Sequence, residues 1–247
     1  MNLTAKDITP NHTGKQKPDF EDLYIAARKQ EKRLYSDEQL LKLPEIDSVH
    51  QYHNEWKIRK HSSERLCDYL QRKNRSLKIL EIGCGNGWLS AKLAGIPNTK
   101  VTGLDVNQVE INQAIRVFEK DNLQFVYDTF NDNTFENEKF DVIVFAASLQ
   151  YFPSVINVLN QSLEILTPRG EVHIIDTPFY EALDAIDADQ RSRNYYTSLG
   201  FPEMADYYYH HSISEFWGFK YQVLFNPVSL LNRFLKKDPF YWIAIRK

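Results

Sequence analysis

Three of the nine glycines fall within five residues, in Ile79-Leu80-Glu81-Ile82-Gly83-Cys84-Gly85-Asn86-Gly87. An apolar run ends there and a helical pattern opens, so the loop leaves the C-terminal end of a strand. In an open parallel sheet that place is the ligand crevice beside the first strand. Glycines let the backbone turn sharply and approach a ligand closely. The spacing is G-x-G-x-G. A dinucleotide fingerprint needs its third glycine at position 88, which here is the bulky Trp88. Twenty-two residues beyond Gly83, where the next apolar run ends, stands Asp105 in Gly103-Leu104-Asp105-Val106-Asn107. A carboxylate in that position can accept hydrogen bonds from both hydroxyls of a ribose.

Other side chains able to do chemistry are fewer. His210 and His211 follow Tyr207-Tyr208-Tyr209, and an imidazole titrating near neutral pH is a candidate base for an acceptor hydroxyl. Tyr180, in Asp176-Thr177-Pro178-Phe179-Tyr180, comes directly after an apolar run and is expected to line a pocket. Cys84 lies between glycines with no histidine near it in sequence, which fits a small filler rather than a nucleophile. His50 and His53 have the spacing of a ligand pair but no acidic or cysteine partner, so no metal site is expected.

These residues need a scaffold, and the chain supplies an alternating one. Residues 1 to 19 are polar, with Pro10, Gly14 and Pro18, and read as a disordered tail. Residues 20 to 76 read as a helical cap: a short helix from Phe20 to about Leu34, then a longer one capped by Asp47 or Ser48. In the second, Val49, Tyr52, Trp56, Ser63, Leu66, Cys67 and Leu70 recur at near-helical spacing, and Lys57 to Lys73 is a basic, solvated face. Apolar runs at Lys78–Ile82, Lys100–Leu104, Leu123–Tyr127, Asp141–Ala146 and Glu171–Ile175 then alternate with helical patterns at Trp88–Gly95, Gln108–Lys120 and Ser154–Leu166. That rhythm implies right-handed crossovers and a parallel sheet covered on both faces. Residues 177 to 217 are a helical, tyrosine-rich excursion. Lys220–Phe225 and Phe240–Ile245, joined by a helix around Leu230–Leu235, read as a closing antiparallel pair.

Composition sets the outer limits. With 247 residues and 43% hydrophobic content, the chain buries a core without disulfides or metals. Two cysteines exclude a disulfide scaffold, and the longest apolar run, Val142 to Leu149, is too short to span a bilayer. A net charge of −3 gives no broad basic surface, which disfavours nucleic acid as a partner. No signal-peptide pattern opens the chain, so the expectation is a soluble, cytoplasmic protein. Seventeen of the 33 aromatic residues lie from Thr177 onward, which points to a pocket for a partly apolar or planar molecule under a lid.

The segments Leu80–Gly87, Gly103–Asn107, Phe140–Phe152 and Leu166–Ile175 resemble, in order, the motifs of the class I S-adenosylmethionine-dependent methyltransferases. The resemblance covers about residues 77 to 176, with residues 77–247 forming the cofactor-binding domain and 177–217 a lid inserted in it. It implies a Rossmann-like, doubly wound, seven-stranded and mostly parallel sheet whose last strand is antiparallel. It further implies S-adenosyl-L-methionine as cofactor and S-adenosyl-L-homocysteine as product. Gly83 and Gly85 then pass the methionine part, Glu81 supports their loop, Asp105 takes the ribose hydroxyls and Asp128 contacts the adenine amino group. Cys84, Val106, Thr129 and Ala146 complete the cofactor wall, and Arg59, one turn from Trp56, pairs with the methionine carboxylate. Ser148-Leu149-Gln150-Tyr151 lacks the Asn/Asp-Pro-Pro-Tyr/Phe signature of enzymes that methylate nucleic-acid bases or protein glutamine. The expected acceptor is a small molecule. The alternatives are RNA or protein methylation with the Lys57–Lys73 helix as docking face, and a catalytically inactive cofactor-binding regulator.

Overall fold

The structure is a computed structural model that describes residues 20–230, 232 and 238–247. The expected N-terminal tail lies outside the described residues, as does most of the helix expected around Leu230–Leu235. Seven strands form one sheet: β1 (Leu77–Ile82), β2 (Thr99–Asp105), β3 (Leu123–Tyr127), β4 (Phe140–Ala146), β5 (Leu166–Ile175), β6 (Tyr221–Phe225) and β7 (Trp242–Arg246). Their order is β3-β2-β1-β4-β5-β7-β6. The pairs from β3 to β5 are parallel, and β7 runs antiparallel to both β5 and β6. The order reverses between β1 and β4, and this reversal opens a crevice at their carboxyl ends.

Alternation along the strands builds two cores. Leu80, Ile82, Ile143 and Phe145 face one side, against Val155, Val158 and Leu159 of α6 (Val155–Glu164). Ile79, Val101, Val142 and Val144 face the other, against Trp56, Leu66 and Leu70 of α3 (His53–Gln71) and Leu89 and Leu93 of α4 (Trp88–Leu93). Of the remaining helices, α1 spans Phe20–Gln30, α2 Asp37–Leu40, α5 Gln108–Val117 and α7 Ala182–Leu199. A third, smaller cluster joins Ala27 of α1 to Tyr196 of α7 and to Met204 and Ala205 in the turn after it. Among the described residues, no helix is long and apolar enough to cross a membrane.

Several boundaries differ from the sequence reading, each for a local reason. Strand β5 starts at Leu166 rather than Glu171, and α6 stops at Glu164. Opposite it, Phe140 pairs with Leu166 and Val142 with Glu171, so Pro168 and Gly170 sit in an irregularity of the ladder. A proline without an N–H is tolerated there. The long cap helix starts at His53; Asp47 instead closes a turn by accepting from the Val49 N–H at 3.0 Å. Helix α5 ends at Val117, not Lys120. The excursion after β5 is helical only in α7, and then folds into two 3-10 turns, Pro202–Tyr207 and Ile213–Phe216.

Candidate functional site

The glycine loop sits at the carboxyl end of β1 with all three glycines in the left-handed region, at φ of 74° for Gly83, 52° for Gly85 and 76° for Gly87. The N–H groups of Gly83 and Cys84 both donate to the Leu104 carbonyl, which pins the loop to the end of β2. An added Cβ on Gly83 would stand 2.4 Å from the Ser148 Cβ, so the loop and the turn after β4 touch backbone to side chain. Asp105 closes the arrangement. Its Oδ2 accepts from the Gly85 N–H at 2.7 Å and its Oδ1 from the Asn107 N–H at 2.8 Å. Burial pushes this carboxyl up, and the backbone donors of Gly85, Asn107 and Val106 pull it back. A carboxylate holds about four lone-pair sites, so capacity remains for a ligand's hydroxyls. Below the loop Glu81, 2% exposed, accepts from the Ser90 hydroxyl at 2.5 Å, and burial raises it to about 8. Cys84 is buried and its thiol is pushed up, which keeps it protonated and inert.

Two recesses meet at the loop. One, of about 230 Å³, is walled by Asp105, Val106, Asp128 and Thr129, with Phe20 and Tyr24 of α1 closing the opposite side. The other is polar. It brings Arg59, Glu81, Cys84 and Ala146 together with Arg28, Arg33, Glu55 and Glu110. Gly83 and Gly85 line both. The structure therefore gathers all ten residues assigned to the cofactor around one loop. Asp128 sits at the rim, exposed, where its Oδ1 accepts from the Thr129 N–H at 2.7 Å.

The polar recess is crossed by a chain of ion pairs. Glu55 takes Arg33 in a two-pronged contact at 2.8 and 2.7 Å and Arg59 at 3.0 Å, while Glu31 takes Arg28 at 3.1 Å and Arg33 at 3.3 Å. Arg28, Arg33, Glu55 and Arg59 also line a third cavity, of about 570 Å³, on the far side. Tyr151, Tyr180, Tyr195, Tyr196 and Tyr208 form most of its aromatic wall. Of the three residues considered for proton transfer, Tyr180 lines this cavity; His210 and His211 do not. His210 stands behind the wall, its ring 5.4 Å from Tyr180 and its Nε2 2.9 Å from the Ser192 hydroxyl, and burial lowers its pKa. His211 is buried, with Nε2 3.3 Å from the Leu149 carbonyl and Nδ1 3.4 Å from the Glu215 carboxylate, and so ties the excursion to the turn after β4.

Sequence reasoning placed a helix from Phe20 onward but missed its role at the site, and it missed Glu110. Phe20, Tyr24 and Arg28 fall at a four-residue spacing on one face of α1, and that periodicity was the available signal. The basic helix also differs from its reading as a solvated face. Lys60 pairs with Glu45, Arg65 with Asp238 and Lys73 with Glu171, and these contacts neutralise much of it.

The buried carboxyls make stability depend on pH in a stated direction. Glu81 and Glu110 both stand near 8 when folded and near 4.5 when unfolded. Between those values the folded state binds more protons, so stability falls as pH rises. Lowered carboxylates such as Glu55, at about 2, have finished titrating by pH 7 and do not oppose this. Thermal unfolding of the ligand-free protein is expected to drop by several degrees from pH 7 to 8.5, about 2 kcal/mol. A flat or rising profile by calorimetry would contradict the burial of these two groups.

A family model described as "Methyltransferase domain" matches residues 79–170. The chain is 32% identical over 113 residues to a ubiquinone biosynthesis O-methyltransferase of Actinobacillus pleuropneumoniae, an alignment covering 42% of this chain and 48% of that one. It is 27% identical over 119 residues to the sterol 24-C-methyltransferase ERG6B of Gibberella zeae, covering 47% and 31%. The chain thus spans less than half the length of these curated relatives. Among solved structures, the plantazolicin methyltransferase BpumL in complex with a monoazolic desmethylPZN analog and SAH aligns with a TM-score of 0.55 at 16% identity, over 92% of this chain and 97% of that one. A SAM-dependent methyltransferase from Geobacter sulfurreducens, in complex with S-adenosyl-L-homocysteine, aligns at 0.53 and 15% identity, over 86% and 97%. With the sheet order and the glycine loop already in place, the chain has the Rossmann-like fold of the class I methyltransferases, and its residues 79–170 match a methyltransferase domain.

Proposed function

We propose that the protein transfers the methyl group of S-adenosylmethionine to a small-molecule acceptor held in the tyrosine-walled cavity. The carrying observation is the wall of Arg28, Arg33, Glu55 and Arg59 that this cavity shares with the polar recess at the glycine loop. A donor seated at the loop and an acceptor in the cavity would meet beside these residues, at Ala147, which lines both spaces. The residues fit the cofactor: three left-handed glycines admit a ligand against the backbone, and Asp105 keeps lone pairs beyond those used by Gly85 and Asn107. The guanidinium of Arg59 suits the carboxylate of the amino-acid end, and Asp128 stands at the rim for the adenine amino group.

When bound, the cofactor supplies a methyl group on a positively charged sulfur, a strong electrophile in itself. What falls to the chain is alignment and exclusion of water. Phe20 and Tyr24 cover the nucleoside recess, and the five tyrosines enclose a planar acceptor. Tyr180 would touch that acceptor, and the ring of His210 packs behind it. Residues 77–247 form the cofactor-binding unit, 20–76 its cap and 177–217 a lid over the acceptor. The similarity to a ubiquinone biosynthesis O-methyltransferase and to a sterol 24-C-methyltransferase supports a small acceptor. The charge-paired surface of α3 speaks against its use as an RNA dock.

The test is a calorimetric titration with S-adenosylhomocysteine, with NADH as control. Micromolar binding of the first and none of the second is expected. Binding of NADH alone, or of neither, removes this reading.

A further inference from the structure

Three carboxyls line the polar recess beside the glycine loop, and two have partners. Glu55 takes Arg33 and Arg59, and Glu81 takes Ser90. Glu110, on the first turn of α5, is different. Its backbone N–H donates to the Asn107 side chain, but among the described residues no donor reaches its Oε2, which is shielded from solvent. The carboxyl lies over the glycine loop, where an added Cβ on Gly85 would sit 3.2 Å from Oε2. The groups facing it are Asp105 at the end of β2, Tyr24 and Arg28 on α1, Arg59 on α3, and the buried thiol of Cys84 in the glycine loop. Burial, then the charge of Asp105, raise Glu110 to about 8, so at neutral pH it holds its proton. Ionising this acid beside another buried carboxylate is costly unless a positive charge joins them.

The amino-acid end of the cofactor carries one negative and one positive group. The arginines of the recess suit the first, and the second needs an acceptor. We propose that Glu110 receives the α-ammonium group of the cofactor's amino-acid end, and that it releases its proton to solvent as that group arrives. The ammonium keeps its own protons and donates one hydrogen bond to the newly charged carboxylate. This inference rests on the cofactor reading given above.

Two ligands separate the parts. S-Adenosylhomocysteine has the amino-acid end, and 5′-methylthioadenosine lacks it. Calorimetry of the full chain at pH 7, in phosphate and in Tris, reads the protons released per ligand bound from the difference in heats. The wild-type protein is expected to release most of one proton with S-adenosylhomocysteine and almost none with 5′-methylthioadenosine. Its affinity for the former is expected to rise several-fold from pH 6.5 to 8. In Glu110→Gln the release disappears and S-adenosylhomocysteine binds about tenfold more weakly, while 5′-methylthioadenosine stays within twofold. Equal proton release with both ligands in the wild type overturns the proposal, even if the variant does not fold. So does a variant that weakens both ligands alike, which would mark Glu110 as a structural support. Failure of S-adenosylhomocysteine to bind the wild type is a different result, and counts against the cofactor reading itself.

Discussion

Asp105→Ala is expected to weaken S-adenosylhomocysteine binding by about 100-fold, roughly 2–4 kcal/mol, in a protein that still folds. Two losses add. The hydrogen bonds to the ribose hydroxyls go, each charge-assisted and made in a water-poor recess. The loop also loses its clamp, because the Gly85 N–H at 2.7 Å and the Asn107 N–H at 2.8 Å both donate to this carboxylate. Asp105→Asn helps to apportion the two. Its side-chain carbonyl keeps one acceptor for the loop, while its amide cannot accept from a second hydroxyl, so an intermediate loss is expected. The measurement is calorimetric titration of each variant beside a thermal melt. Unchanged affinity in a folded Asp105→Ala protein would remove this residue from the ribose.

Gly83→Ala is expected to damage both the fold and the site. The new methyl would lie 2.4 Å from the Ser148 Cβ and 3.0 Å from its Oγ. Ser148 has nowhere to retreat, since it is buried and its hydroxyl donates to the Ile82 carbonyl at 2.6 Å. At φ of 74° an alanine also carries the strain of the left-handed region, about 1–2 kcal/mol. With overpacking the total reaches about 2–5 kcal/mol, on the order of 10 °C in the melting midpoint. Gly85→Ala is a useful contrast. Its methyl meets only the end of the Glu110 side chain, at 3.2 Å, which can shift. Its melt should fall less, and a reversed order of the two variants would show that the approach of the loop to Ser148 is not the constraint described.

The sheet and the glycine loop were legible in the sequence because both are written in short-range patterns. Apolar runs of five or six residues, each followed by a turn, leave few arrangements once right-handed crossovers are required. Asp105 was legible because its place at a strand end follows from the same pattern. What escaped depends on tertiary contact. Helix α1 looked like one more amphipathic segment, yet Glu21 reaches the Gln108 N–H and the Tyr127 hydroxyl, and Phe20 and Tyr24 pack on Tyr151. Glu110 gave no signal because a charged residue near a helix start is ordinary; only the closeness of Asp105 and Gly85 makes it unusual. Strand β5 was read too short because proline and glycine normally end a strand, and nothing local announced that β4 would accommodate them.

The placement of α1 bears on how fast the protein can work through successive cycles. The helix walls the recess of Asp105 and Asp128, and its aromatic face also packs on Tyr151 after β4 and on Tyr207 of the tyrosine-rich segment. A spent nucleoside leaving by that side must part these rings first, and so must its replacement on entry. On the proposed reading, opening of this eleven-residue helix would set the residence time of the product, and its off-rate would then compete with the displacement itself as the ceiling on turnover.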